Sequence, residues 1–162
     1  MIRITENLVL EIIHDLQRPH SFASERVGFI FTRLGTGLQP MALAKRYRPV
    51  ADDHYINDPS VGAAINEHAI RSARQESFSS GDGIFHVHLH PWNGDPGISQ
   101  IDLDGYRAMV PSFVPMAPST AHGAIIFSFD NAIGLVRWPN SQNIQRSPIC
   151  VVGFPMKFFG EL

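Results

Sequence analysis

The chain has 162 residues, 13 Lys and Arg against 15 Asp and Glu, and a formal charge of −2. That length fits one domain over residues 1–162 and is too short for a complete (β/α)₈ barrel, which needs about 250 residues. No basic stripe marks a nucleic-acid binder, and no apolar run approaches the ~20 residues of a membrane span. Charged residues at 17% beside 44% hydrophobic ones argue for a compact fold and against disorder. The first apolar stretch carries Glu6, Glu11 and Asp15, so it does not read as a signal peptide. A single cysteine, Cys150, flanked by Ile149 and Val151, reads as a buried strand residue and fits a reducing, cytoplasmic setting.

The spacing of Val9, Ile12, Ile13 and Leu16 predicts a helix over residues 6–17, with Thr5 as N-cap and Pro19 as its stop. Residues 26–34 read as a strand ended by Gly35 and Gly37, and residues 41–50 as a second strand antiparallel to it. After a loop at 52–59, residues 60–77 read as a helix with Val61, Ile65, Ala69, Ile70 and Ala73 inward. Residues 79–83 break it. Residues 83–90 form a strictly alternating strand, and 91–98 a loop stiffened by Pro91 and Pro96. A third helix is predicted over 99–110 and a Pro-rich connection over 111–121. Strands follow over 122–129, 132–138 and 148–159, the first two joined by a turn at Asp130–Asn131. Helix, two strands, helix, strand, helix and three strands suit an α+β sheet with about three helices on its faces, not a doubly wound parallel fold.

His86, His88 and His90 are the most informative residues. A strand has period two, so all three project from one face. Buried imidazoles need hydrogen-bond partners, which makes an ordinary core face a poor explanation. His88-x-His90 holds two imidazoles on that face, and Asp102 on the next helix can complete a three-ligand metal set with a position open for water. Ser99-x-x-Asp102 also fits an N-capping box. The readings are compatible, because a helix N-terminus is electropositive and suits a carboxylate. Asp95 competes as a ligand but lacks the helical setting. Glu25, at the start of an apolar strand, is by itself an ordinary exposed carboxylate.

Taken together, Glu25-x-x-Gly28 opening a strand, His88-x-His90-Pro91 closing another and Ser99-x-x-Asp102 opening a helix resemble the JAMM metalloprotease family, also called JAB or MPN+, and its bacterial JAB members in particular. The resemblance spans roughly residues 1–160. It implies the cytidine-deaminase-like mixed sheet of that family and one zinc ion per chain held by His88, His90 and Asp102. It implies Glu25 as the general base for the zinc water and Ser99 as a hydrogen-bond donor to the developing oxyanion. The activity implied is that of a deubiquitinase-like isopeptidase: hydrolysis of amide bonds at the C-terminus of a ubiquitin-like protein, in deconjugation or precursor maturation. Bacterial members often act with E1-like and E2-like operon partners, including in antiphage defence; sulfur-carrier processing is a related role. Eleven residues separate His90 from Asp102, one more than is usual in the family, and the extra residue falls in the loop.

His86 is a candidate for supporting the ligands or touching substrate, and Trp92 for lining a substrate groove or packing beside it. His54, His68 and His122 carry no assigned role. Two alternatives stand beside the peptidase: a metallohydrolase acting on a different small amide, and a non-catalytic MPN-type binding module, which would be expected to lack ligands. Cupin and metallo-β-lactamase patterns fail at residues 91–95. A facial-triad iron oxygenase would leave Glu25 without purpose.

Overall fold

The computed structural model describes residues 1–160. Strand β1 (Ile2–Thr5) leads into helix α1 (Glu6–Leu16), then β2 (Val27–Leu34) and β3 (Ala42–Pro49). Two short strands, β4 (Tyr55–Ile56) and β5 (Ala64–Ile65), precede α2 (Glu67–Ser80), β6 (Gly83–Leu89) and α3 (Gln100–Phe113). The chain continues through β7 (His122–Phe127), β8 (Ala132–Arg137), β9 (Gln145–Ser147), β10 (Ile149–Val152) and β11 (Lys157–Phe159). The fold is α+β. Nine strands form one mixed sheet in the order β11-β10-β1-β3-β2-β6-β7-β8-β9, and β4 and β5 form a separate pair.

The large sheet curls. A Cβ placed on Gly134 of β8 would lie 2.7 Å from Cδ1 of Ile2 in β1, although the two strands are far apart in sheet order. Helix α1 packs on one face, where Leu8, Ile12 and Leu16 meet Ile2, Ile30, Phe85, Val87 and Ile125. Helices α2 and α3 cover the other face, through Ala69, Ala73 and Phe113 against Phe29, Phe31 and Ile84, and through Tyr106 and Val110 against Ala124 and Ile126. Strand β6 is therefore covered on both sides. Its odd-numbered residues enter the α1 core and its histidines face α3.

Helix α1 begins where expected, and the Thr5 side chain accepts a hydrogen bond from the Leu8 amide. Strands β2 and β3 pair antiparallel, as expected. Cys150 is a buried strand residue. No helix of the described residues is long and apolar enough to cross a membrane.

Four expectations are corrected. The helix predicted over 60–77 begins only at Glu67, because Asn66 caps it by accepting from the His68 and Ala69 amides. Ala64 and Ile65 pair instead with Ile56 and Tyr55. The helix predicted to end at 110 runs through Pro111 to Phe113, whose fully buried ring, with the buried Val110 side chain, anchors the last turn. Residues 148–159 form not one strand but the antiparallel pair β10 and β11. Strands β1 and β9 were not expected; both are short, β1 being held by the sequence-distant β10 and β9 by the edge of the preceding β8.

Candidate metal centre

The end of β6 sets the site. Burial of Phe85, Val87 and Leu89 against α1 turns His88 to the opposite face, and His90 follows as the strand gives way to Pro91. The two Nε2 atoms come within 3.1 Å of each other. Nδ1–H of His90 donates to the Pro96 carbonyl at 2.6 Å, and Nδ1 of His88 is hydrogen-bonded to the Tyr106 hydroxyl at 3.2 Å. Tethering Nδ1 in this way orients a ring so that Nε2 can face a ligand. The loop predicted at 91–98 thus has a specific use: its Pro96 carbonyl holds His90. Trp92 stacks on the His90 ring with centroids 4.6 Å apart and remains 46% exposed.

Helix α3 contributes the carboxylate. Ser99 is the N-cap, and the capping box is complete. Ser99 Oγ accepts from the Asp102 amide at 3.1 Å, and Asp102 Oδ2 accepts from the Ser99 amide at 2.8 Å. The Ser99 hydroxyl also donates to Oδ2 at 2.7 Å. Those bonds hold Asp102 with Oδ1 3.3 Å from Nε2 of His88 and Oδ2 3.9 Å from Nε2 of His90. The capping and site readings of Ser99-x-x-Asp102 therefore coexist in one geometry.

Glu25 lies two residues before β2, which pairs with β6 so that Val27 lies opposite His88. The start of β2 is pinned on both sides. The buried Arg26 side chain reaches the Arg18 and Pro19 carbonyls and Asp52, and the Val27 amide donates to the Tyr55 hydroxyl at 2.8 Å. Ligand atoms of Glu25, His88 and His90 all lie within 4.8 Å of one another.

Electrostatics follow from burial. Removal from water raises the Glu25 carboxyl above its ordinary range; nearby His90 opposes that rise and Asp102 adds to it. Burial lowers the His88 imidazole, and pushes His86 down to about 3. Both imidazoles are therefore neutral at pH 7, and neutral is the form His88 needs to bind a metal.

The donor set fits a divalent metal. Zn–N bonds of roughly 2.0–2.1 Å put two tetrahedral nitrogens about 3.3 Å apart, close to the Nε2 separation found here. A Glu–His–His group is thus able to hold a metal ion, with Asp102 beside it. All five residues singled out from the sequence, Glu25, His88, His90, Ser99 and Asp102, line one groove between α3 and residues 61–65. His86 and Trp92 line it too. Asp95 is left outside, exposed, with its carboxylate accepting from the Gly97 amide. His122 has a structural role: Nδ1 accepts from the Ile84 amide and Nε2–H donates to the Ala117 carbonyl.

Sequence reasoning missed Tyr106 and Gly62. Tyr106 follows Asp102 by one helical turn, so its spacing did carry a signal. Gly62 lay within the segment predicted as helix, and nothing local linked it to Glu25. No family model matches the chain, and no curated protein matches it in sequence.

Proposed function

We propose that this chain is a zinc-dependent peptidase of the JAMM (JAB/MPN+) kind. Its substrate bond is the amide at the C-terminus of a ubiquitin-like protein, cleaved in deconjugation or in precursor maturation. The observation that carries this reading is the meeting of two imidazole nitrogens 3.1 Å apart with two carboxylates from separate elements. His88, His90 and Asp102 would hold the zinc, leaving Glu25 for proton transfer. When bound, zinc supplies Lewis acidity and brings the pKa of a water toward about 7.

The chain's own residues divide the remaining work. Asp102 Oδ2 is engaged by Ser99, as befits a ligand held in place. The Glu25 carboxyl, raised by burial, lies nearer the working pH and suits a group that takes a proton and returns it to the leaving amine. Ser99 donates its one hydroxyl proton to Asp102, so donation to a substrate oxygen requires that hydroxyl to turn. Among the described residues strand β5 pairs with β4 alone, and its other edge would let an extended tail join as an added strand.

The test is a cleavage panel of linear and lysine-linked ubiquitin-like fusions, run with zinc-loaded wild type and Glu25→Ala. Cleavage after the C-terminal glycine is expected. The variant should keep its zinc and lose about 10²–10⁴-fold in rate. Wild-type rates in Glu25→Ala, or protein that takes up no zinc, would overturn the reading.

A further inference from the structure

The Pro96 carbonyl that holds Nδ1–H of His90 belongs to residues 91–98, a segment with no helix or strand. Pro96 is the one buried residue of that loop; the others are half-buried or exposed. A segment with so little core of its own takes its position from contacts outside it.

Those contacts come from the turn between β7 and β8, residues 128–131, which grips Gly94 on both sides. The Gly94 amide donates to Asp130 Oδ1 at 2.6 Å, and the Gly94 carbonyl accepts from the Ser128 hydroxyl at 2.6 Å. The Phe129 amide donates to the Trp92 carbonyl at 2.9 Å. The turn is itself closed: the Ser128 amide donates to the Asn131 carbonyl at 2.8 Å, and Ser128 Oγ accepts from the Asn131 amide at 3.0 Å. Gly94 has a φ of 90°, in the left-handed region that glycine enters without steric cost. From Gly94 to Pro96 is two residues. Asp95 stiffens that step: its carboxylate accepts from the Gly97 amide at 2.8 Å, and its carbonyl accepts from the Trp92 indole N–H at 3.2 Å. Pro96 follows with φ fixed by its ring. Ser128 is 2% exposed, so its bond to Gly94 is shielded from competing water.

We propose that Ser128 and Asp130 are positioning residues of the metal centre: by gripping Gly94 they fix the Pro96 carbonyl, and that carbonyl fixes the His90 ring. The inference rests on the metallopeptidase reading above and adds to it two residues that do not line the groove. Without the grip the His90 ring is free to turn, Nε2 no longer faces Nε2 of His88 at all times, and metal affinity falls.

The test compares wild type with Ser128→Ala, Asp130→Ala and Asp130→Asn in two measurements. The first is NMR of metal-free protein labelled with ¹⁵N-histidine, reading the Nδ1–H proton of His90. The Nε2–H proton of His122, bonded to the Ala117 carbonyl at 2.9 Å, is the internal reference. The second is Co²⁺ affinity by competition with a chromophoric chelator. In each Ala variant the His90 proton should move upfield or be lost to exchange while the His122 proton stays. Co²⁺ should bind about tenfold more weakly, the low end for loss of a group behind a ligating His. Asp130→Asn keeps an oxygen acceptor and should behave as wild type in both measurements. A residue whose Ala variant leaves the His90 proton or the Co²⁺ affinity unchanged is not a positioning residue. Equal movement of the His90 and His122 protons shows general loosening and overturns the proposal; so does an Asn variant as weak as Asp130→Ala. Wild type that shows the His90 proton but binds no Co²⁺ overturns the metallopeptidase reading instead.

Discussion

Glu25 is held against Gly62: its amide donates to the Gly62 carbonyl at 3.0 Å, and a Cβ on Gly62 would lie 2.6 Å from Cδ of the Glu25 side chain. Only the absence of that Cβ lets the carboxylate rest where it meets His88 and His90. Gly62→Ala should therefore move the flexible end of Glu25 and little else. Stability should change by less than about 1 kcal/mol, because the atoms that must shift are mobile. Hydrolysis should fall about 10–100-fold from the misplaced base, with zinc content unchanged. Thermal unfolding, metal analysis and turnover of the same preparation check all three.

Tyr106 is the tether of His88, hydrogen-bonded to its Nδ1 at 3.2 Å. Tyr106→Phe keeps the ring that packs against Ala124 and Ile126 and removes only the hydroxyl. Metal affinity should fall about 10–100-fold, as is usual when the group behind a ligating His is lost. Competition with a chromophoric chelator reads this directly. Unchanged affinity would mean that packing alone orients the ring.

Ser99 both caps α3 and faces the groove. Ser99→Ala should cost about 1 kcal/mol as a lost N-cap, seen as a lower thermal midpoint. If the hydroxyl also serves the substrate oxygen, turnover per bound zinc should fall about 10²–10³-fold. A stability loss with normal turnover would leave it the capping role alone.

Away from the site, Asp82 is fully buried and receives Lys45 at 2.9 Å, Arg46 at 2.6 Å and Arg33 at 2.9 Å. Burial pushes its carboxyl up, but the three cations prevail and hold it at about 2, below its ordinary 3.8. A depressed carboxyl contributes stability that is present above the unfolded value and is lost as pH falls through the folded one. Asp82→Asn should destabilise by about 3 kcal/mol at pH 7, the low end of the range for a broken buried pair, because the cations remain partly hydrated. The gap between variant and wild type should narrow as pH falls from about 4 to 2. Denaturant titrations at several pH values test this; a gap independent of pH would show that the cations do not act through the carboxylate's charge.

What the residues determined alone was local and periodic. Alternation along 83–90 set three imidazoles on one face, because side chains in a strand repeat every second residue. Thr5 and the Ser99–Asp102 pair were legible as caps, because a cap is completed within one turn. The tertiary structure decided what depends on register and distant contact. It brought Glu25 to His88 through the pairing of Val27 with His88, moved the start of the helix predicted from residue 60 to Glu67, and made residues 61–65 a wall of the groove. The 60–66 segment has apolar residues at helical spacing, yet its backbone gains more from pairing with β4 and from the Asn66 cap than from extending α2. Such a choice is made between segments that meet only in the folded chain, and no local pattern contains it.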